Sequence, residues 1–280
     1  LGVEFFFVLS GFFLTVTFKP EKNVVGYVKS KFAHFAPLTL FCLIGKMKLI
    51  PLLNSLLFLQ IFTTDVMPPQ SWYLGALFWS GLFYFYMMKN CPEKYNNVVF
   101  GIVTCAAYMW CIGTSWEIGV QRGLAGMGLG YFLARLYQNE KAEKTDDGSR
   151  FLYTLAEVAV LGYGVGVMFF KQLRPESEMT AVAVYAILIL LFVLRRGSVS
   201  RFFEKPVFAR IAACSFSVFM THSMVIHDVL LRWRVKYPAV AEIDEKVFAL
   251  AAVVICYAFG LMVWRWFETP VSAFFKNKLR

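Results

Sequence analysis

The sequence predicts an all-α polytopic membrane bundle, and three observations carry that prediction. Hydrophobic residues fill 59% of the 280 positions, charged residues 16%, and the mean hydropathy is +0.59. Soluble chains average roughly 45–50% apolar and about 25% charged. The apolar excess is spread along the whole chain, and it falls into runs near the ~20 residues that a helix needs to cross hydrocarbon.

The expected spans lie near 1–18, 34–62, 72–88, 98–115, 120–137, 151–170, 179–194, 209–231 and 246–267, about nine in all. The first, "LGVEFFFVLSGFFLTVTF", carries one charge, Glu4, and a Ser10-Gly11 step inside its aromatic run. Lys46, Lys48 and Pro51 interrupt the second, so one spanning helix followed by a short interfacial helix is expected. The third opens with Trp72 and Tyr73, where an aromatic belt at the membrane surface would put them. The fifth sets Gly123, Gly126, Gly128 and Gly130 between Arg122 and Arg135, a spacing that lets helix backbones approach closely. Glu157 in the sixth needs either the interface or a partner. The last run closes on "WRWFETP". Pro270 should stop that helix, with Arg265 and Glu268 paired on one face three residues apart.

The distribution of the 28 Lys and Arg over the connections places residue 1 outside and the C-terminus in the cytoplasm. The same bias accounts for the net charge of +10 without a nucleic-acid partner. Residues 139–150, "NEKAEKTDDGSR", read as a polar cytoplasmic loop inside a single membrane-embedded domain covering 1–280 of a multi-pass cell-membrane protein. The six Cys are scattered, with no CxxC pair and no His at ligand spacing, so neither a disulfide framework nor a metal site is expected.

"SFSVFMTHSMVIHD" holds two of the three His. His222 lies ~20 Å into its span, near the midplane, with Ser215, Ser217 and Thr221 on the same stretch. His227 is rotated by about 140° from it, a poor arrangement for a shared metal. Two readings of His222 stay open at this level: an imidazole satisfied by a neighbouring helix, or a proton carrier or substrate ligand. "YVKSKFAHFAP" likewise offers Lys29, Lys31 and His34 either to a phosphate-bearing ligand or to the positive-inside rule.

The order of these motifs is more specific than any one of them. "GVEFFFVLSGFFLT", the basic start Lys31…His34…Pro37, Trp72-Tyr73-Leu74, Arg122…Gly130, Ser215-Phe216-Ser217…Phe219…His222 and Glu268…Pro270 together resemble the acyltransferase family 3 of membrane proteins. The resemblance covers nearly the whole chain. It implies an O-acyltransferase that takes an acyl group, usually acetyl, from cytoplasmic acyl-CoA to a hydroxyl of a surface glycan or its lipid-linked precursor. Acyl-CoA enters as donor substrate, with no bound cofactor, and lipid and glycan are the partners.

A family core of about ten spans implies that this chain is N-terminally truncated. The absent first helix would carry an Arg and the main catalytic His. By the same resemblance His222 is catalytic here, and Ser10, Gly11, Trp72, Tyr73, Ser215, Ser217 and Glu268 line the substrate cavity. Lys31, His34, Arg135, Arg195 and Arg196 face the acyl-CoA phosphates. One departure stands out. The family's Arg-x-x-Arg is Lys31-Phe-Ala-His34 here, which cannot reproduce a bidentate guanidinium grip. The alternatives are a solute or glycan transporter with His222 as proton relay, and a catalytically inactive relative.

Overall fold

Most of the described residues of the expected apolar runs are helical in the structure, a computed structural model that describes residues 2–43, 49–61, 71–114, 119–140, 147–170 and 175–278. The helices are α1 (Gly2–Val16), α2 (Val24–Leu43), α3 (Leu49–Leu56), α4 (Trp72–Asn90), α5 (Glu93–Gly113), α6 (Val120–Glu140), α7 (Asp147–Phe170) and α8 (Pro175–Leu194). They continue as α9 (Ser198–Phe203), α10 (Pro206–Ala213), α11 (Ser215–Ser223), α12 (Leu231–Lys236), α13 (Pro238–Ala241), α14 (Glu245–Val263) and α15 (Thr269–Lys278). Two π-helical segments, Met224–Leu230 and Trp264–Glu268, join α11 to α12 and α14 to α15. No strand occurs among the described residues.

The number of membrane crossings differs from the sequence expectation. Among the described residues three helices are long and apolar enough to cross a membrane: Glu93–Gly113, Pro206–Lys236 and Glu245–Lys278. The expectation of about nine crossings is corrected to these three among the described residues. The reasons are length and composition. Gly2–Val16 and Met179–Leu194 are apolar but shorter, while α2, α4, α6 and α7 carry charged, tyrosyl, seryl or glycyl positions within their length. Of the 139–150 segment, Asn139 and Glu140 end α6 and residues 147–150 open α7; 141–146, like Lys46 and Lys48, lie outside the described residues.

The chain divides into two compact units, Leu1–Val24 with Ala76–Lys205, and Val25–Gly75 with Pro206–Arg280. In the first unit α6 packs against α1, α5 and α8. Val8 and Phe12 of α1 meet Leu133 and Ala134 of α6 and Ala186 and Ile189 of α8. Ala107, Tyr108 and Cys111 of α5 close on Ala125 and Val182. The glycines let α6 do this. A Cβ at Gly130 would collide with the Val8 carbonyl and the Phe12 backbone, and one at Gly11 with the Met127 backbone. α1 and α6 therefore touch backbone to backbone, as small residues permit in membrane helices.

An ion pair fixes the register of this contact. Glu4 is fully buried, and its Oε1 accepts from Arg122 Nε at 2.6 Å, with Nη2 also at 2.6 Å. In the same unit Glu157, also fully buried, accepts from the backbone N–H of Val199 (2.9 Å) and Ser200 (3.2 Å). The partner that the sequence required for Glu157 is thus the first turn of α9, whose dipole favours a carboxylate.

In the second unit α14 packs along α11 and the first π segment. Val225 and Leu230 meet Ala252 and Cys256 there. Contrary to the sequence expectation, Pro270 does not end the last helix, which runs on to Lys278. Proline's ring normally clashes with the carbonyl four residues back. Here that carbonyl belongs to Trp266, inside the wider turn of the second π segment, where the ring is accommodated.

Two substitutions test the first unit. Gly130→Ala should destabilise it by about 1–3 kcal/mol, the usual cost of overpacking. Glu4→Gln should cost about 3–5 kcal/mol by leaving Arg122 buried opposite a neutral group. Both are read as a lower thermal midpoint of the purified protein in detergent. An unchanged midpoint for Gly130→Ala would mean that α1 and α6 separate freely.

Candidate functional site

The polar residues of the second unit gather along α11. Ser217 Oγ donates to Glu268 Oε2 at 2.5 Å, and both residues are buried. The pair that the sequence suggested, Arg265 with Glu268, is replaced by this one, since the Trp264–Glu268 π segment turns Glu268 toward α11 while Arg265 is exposed. The approach is close because α14 has no side chain at Gly260. A Cβ there would run into the Val218 backbone. Thr221 Oγ1 donates back to the Ser217 carbonyl at 2.7 Å.

One turn further, His222 is half-buried near the middle of the 31-residue helix Pro206–Lys236. Its Nδ1 lies 2.6 Å from the Phe219 carbonyl. A carbonyl oxygen only accepts, so Nδ1 carries the proton and the Nε2 lone pair is left for another partner. Tyr73 packs edge-on against Phe219 with ring centroids 5.2 Å apart, and Phe219 in turn lies 5.9 Å from the imidazole. Trp72 and Tyr73 are buried rather than displayed as an interfacial belt. Thiols supply two more contacts to the same helix: Cys42 Sγ to the Met220 carbonyl at 3.4 Å and Cys256 Sγ to the His222 carbonyl at 3.9 Å. The first π segment begins two residues after His222, and π turns recur at functional sites. His227, inside it, is exposed, as is Ser215.

The residues expected to face phosphate fall into both units. In the second, the Lys31 ammonium lies 5.6 Å from the Tyr27 ring centroid and 5.8 Å from that of Phe35. His34 stacks on Phe216, with centroids 5.0 Å apart and planes at 23°. The imidazole keeps an exposed edge, yet the protein packed around it, and then the charges of Lys31 and Lys276, lower its pKa to about 4. It is neutral at ordinary pH and is no cationic phosphate ligand.

In the first unit Arg135 pairs with Glu93 and donates to Gln138 Oε1 at 3.1 Å. Arg195, in a left-handed conformation at φ 57°, pairs with Glu204 at 2.7 Å. Arg196 is buried and donates to Tyr153 Oη at 2.7 Å and to the Glu140 carbonyl at 2.8 Å. Tyr153 also lines a cleft of about 360 Å³ with Ser149, Leu152, Ala156 and Leu191. Ser10 is half-buried, and Gly11 is occupied by its contact with Met127. Among the described residues no group of three His, Cys, Asp or Glu is placed to hold a metal ion.

The acyltransferase domain of family 3 matches the chain over residues 1–264, nearly its full length. The chain belongs to the acyltransferase family 3. No curated protein and no solved structure matches it. In this family member the Ser217–Glu268 bond ties the π segment after α14, just beyond the matched region, to α11, and the anchored imidazole stands on α11 inside that region. Sequence reasoning missed Gly260, Cys42 and Cys256. A lone glycine in the apolar run "YAFGLMV" is the one signal that pointed to a close approach.

Ser217→Ala should leave the Glu268 carboxyl buried without its donor and destabilise the protein by about 1–3 kcal/mol. Thermal unfolding in detergent checks this. A variant as stable as the parent would mean that water replaces the hydroxyl.

Proposed function

We propose that this family member is a membrane O-acyltransferase that moves an acyl group, acetyl in the first instance, from cytoplasmic acyl-CoA to a hydroxyl of a cell-surface glycan or its lipid-linked precursor. Family membership supports the acyl chemistry. The observation that carries the residue assignment is the 2.6 Å contact of His222 Nδ1 with the Phe219 carbonyl. An imidazole held in that tautomer presents Nε2 as a general base.

In the proposed step Nε2 takes the proton of the acceptor hydroxyl as its oxygen attacks the thioester carbonyl. The new C–O bond forms, the C–S bond breaks, and the thiolate leaves with the proton returned by the imidazolium. Ser217 and Glu268 act as positioning residues, holding α14 against α11, and Tyr73 steadies Phe219. For the donor phosphates the reading favours Lys31. At Arg135, Arg195 and Arg196 a phosphate would have to compete with Glu93, Glu204 and Glu140.

The test is transfer of labelled acetyl from acetyl-CoA to glycan in membranes of cells expressing the protein. His222→Ala should abolish transfer with expression and insertion unchanged, whereas His227→Ala should matter little. General-base catalysis is worth about 10²–10⁴-fold, so a His222→Ala variant that keeps more than about a tenth of the parent rate excludes this role.

A further inference from the structure

The cleft of the first unit lies outside the chemistry assigned to His222. Its wall is a helical stripe on α7, Ser149, Leu152, Tyr153 and Ala156, faced by Leu191 of α8. Its volume of about 360 Å³ is that of a small ligand pocket. A chain of ion pairs sets its depth in the membrane. α5 is long and apolar enough to cross, and it begins at Glu93. Glu93 pairs with Arg135 of α6. Glu140, about 7.5 Å of rise further on, ends α6 and pairs with Arg196 at 3.6 Å. Arg196 in turn donates to Tyr153 Oη at 2.7 Å. The Tyr153 end of the cleft therefore stands at the membrane surface where α5 enters. From Ser149 the stripe runs about 10 Å along α7 to Ala156. Its open side is apolar: Phe151, Leu152 and Leu155 are 70, 65 and 56% exposed, a surface suited to hydrocarbon rather than water.

The surface end of the cleft is basic. Arg195 and Arg196 are engaged by Glu204 and Glu140, whereas Arg150, next to Ser149, and Arg201 are exposed. Arg201 Nε donates to the Arg195 carbonyl at 3.1 Å, which holds it at the turn between α8 and α9. The Ser198 N–H ties that turn to α7 through Thr154 Oγ1 at 2.9 Å. Tyr153 Oη accepts from Arg196 and keeps its own proton for a further acceptor. An apolar cleft beside hydrocarbon, with guanidinium groups at its surface end, matches an amphiphile with an anionic head. The geometry points to a binding site for an anionic phospholipid. One acyl chain lies along Leu152, Ala156 and Leu191, and Arg150, Arg201 and the Tyr153 hydroxyl hold the headgroup phosphate. A soluble anion would leave the apolar stripe bare, and a neutral chain would leave the arginines without a counter-charge. The lipid is a ligand of the fold and not a reactant, so the site stands independently of acyl transfer.

Native mass spectrometry of the purified protein, titrated in detergent with dioleoyl phosphatidylglycerol or dioleoyl phosphatidylcholine, tests the site without turnover. The parent should hold phosphatidylglycerol about 25-fold more tightly, roughly fivefold for each arginine, the weight of one basic side chain at an anionic surface. Arg150→Gln and Arg201→Gln should each narrow that gap about fivefold. Ala156→Trp, which fills the cleft, should weaken both lipids. Lys236→Gln, at an exposed cation of the second unit, should leave the gap unchanged. Excess inorganic phosphate should displace the lipid no better than sodium chloride of equal ionic strength. Equal affinity of the parent for the two lipids would overturn the inference, and that result needs no variant to fold. So would an unaltered gap in both arginine variants, or a Lys236→Gln effect as large as theirs. Specific displacement by inorganic phosphate would assign the arginines to a soluble anion and likewise overturn it.

Discussion

A carboxylate withdrawn from water must find donors, and three such carboxylates organise this apolar chain. Glu4, Glu157 and Glu268 are all buried, and each meets a different kind of donor: the Arg122 guanidinium, the backbone N–H groups that open α9, and the Ser217 hydroxyl. Hydrophobic burial is non-directional and would let apolar helices slide or rotate on one another. An unsatisfied buried charge tolerates neither. Each acid thus sets the register of one helix pair, α1 on α6, α7 on α9, and α14 with its π segment on α11.

The same need for close contact explains where glycine stands. On α6 it brings the α1 backbone near enough for Glu4 to reach Arg122, and at Gly260 it brings α14 onto Val218, beside the Ser217–Glu268 bond. The π segments follow from this fit. Extra width at Trp264–Glu268 turns Glu268 inward and accommodates Pro270. Extra width after Ser223 leaves His222 at the end of regular α-helix, with its ring tied to the Phe219 carbonyl. One helix, α11, consequently carries a structural acid's partner, an anchored imidazole and one ring of the His34–Phe216 stack within nine residues.

The placement of helices was largely legible in the sequence, because apolar runs of suitable length become helix wherever they are buried. So were the close-packing glycines of α6, and the segment holding Ser217, Phe219 and His222. The number of crossings was not legible. Apolar runs with interior charges, glycines or tyrosines read as spans when windows are merged by eye, but only three helices among the described residues combine the length and apolarity that crossing needs. Trp72 and Tyr73 show the same limit, since an interfacial aromatic and a buried one look alike in a string of letters.

By itself the sequence determined helical character, the scarcity of charges that makes each buried one consequential, and the family's order of motifs. These are local properties, written in runs of a few to twenty residues. Tertiary structure alone decided which donor each acid meets, 118 residues away for Glu4 and 51 for Glu268. It also decided that Glu268 turns from Arg265 to Ser217 and that His34 stacks on Phe216 rather than standing as a cation. Partners so distant in sequence are selected by helix packing, and no periodicity within a single helix encodes which face of another it will meet.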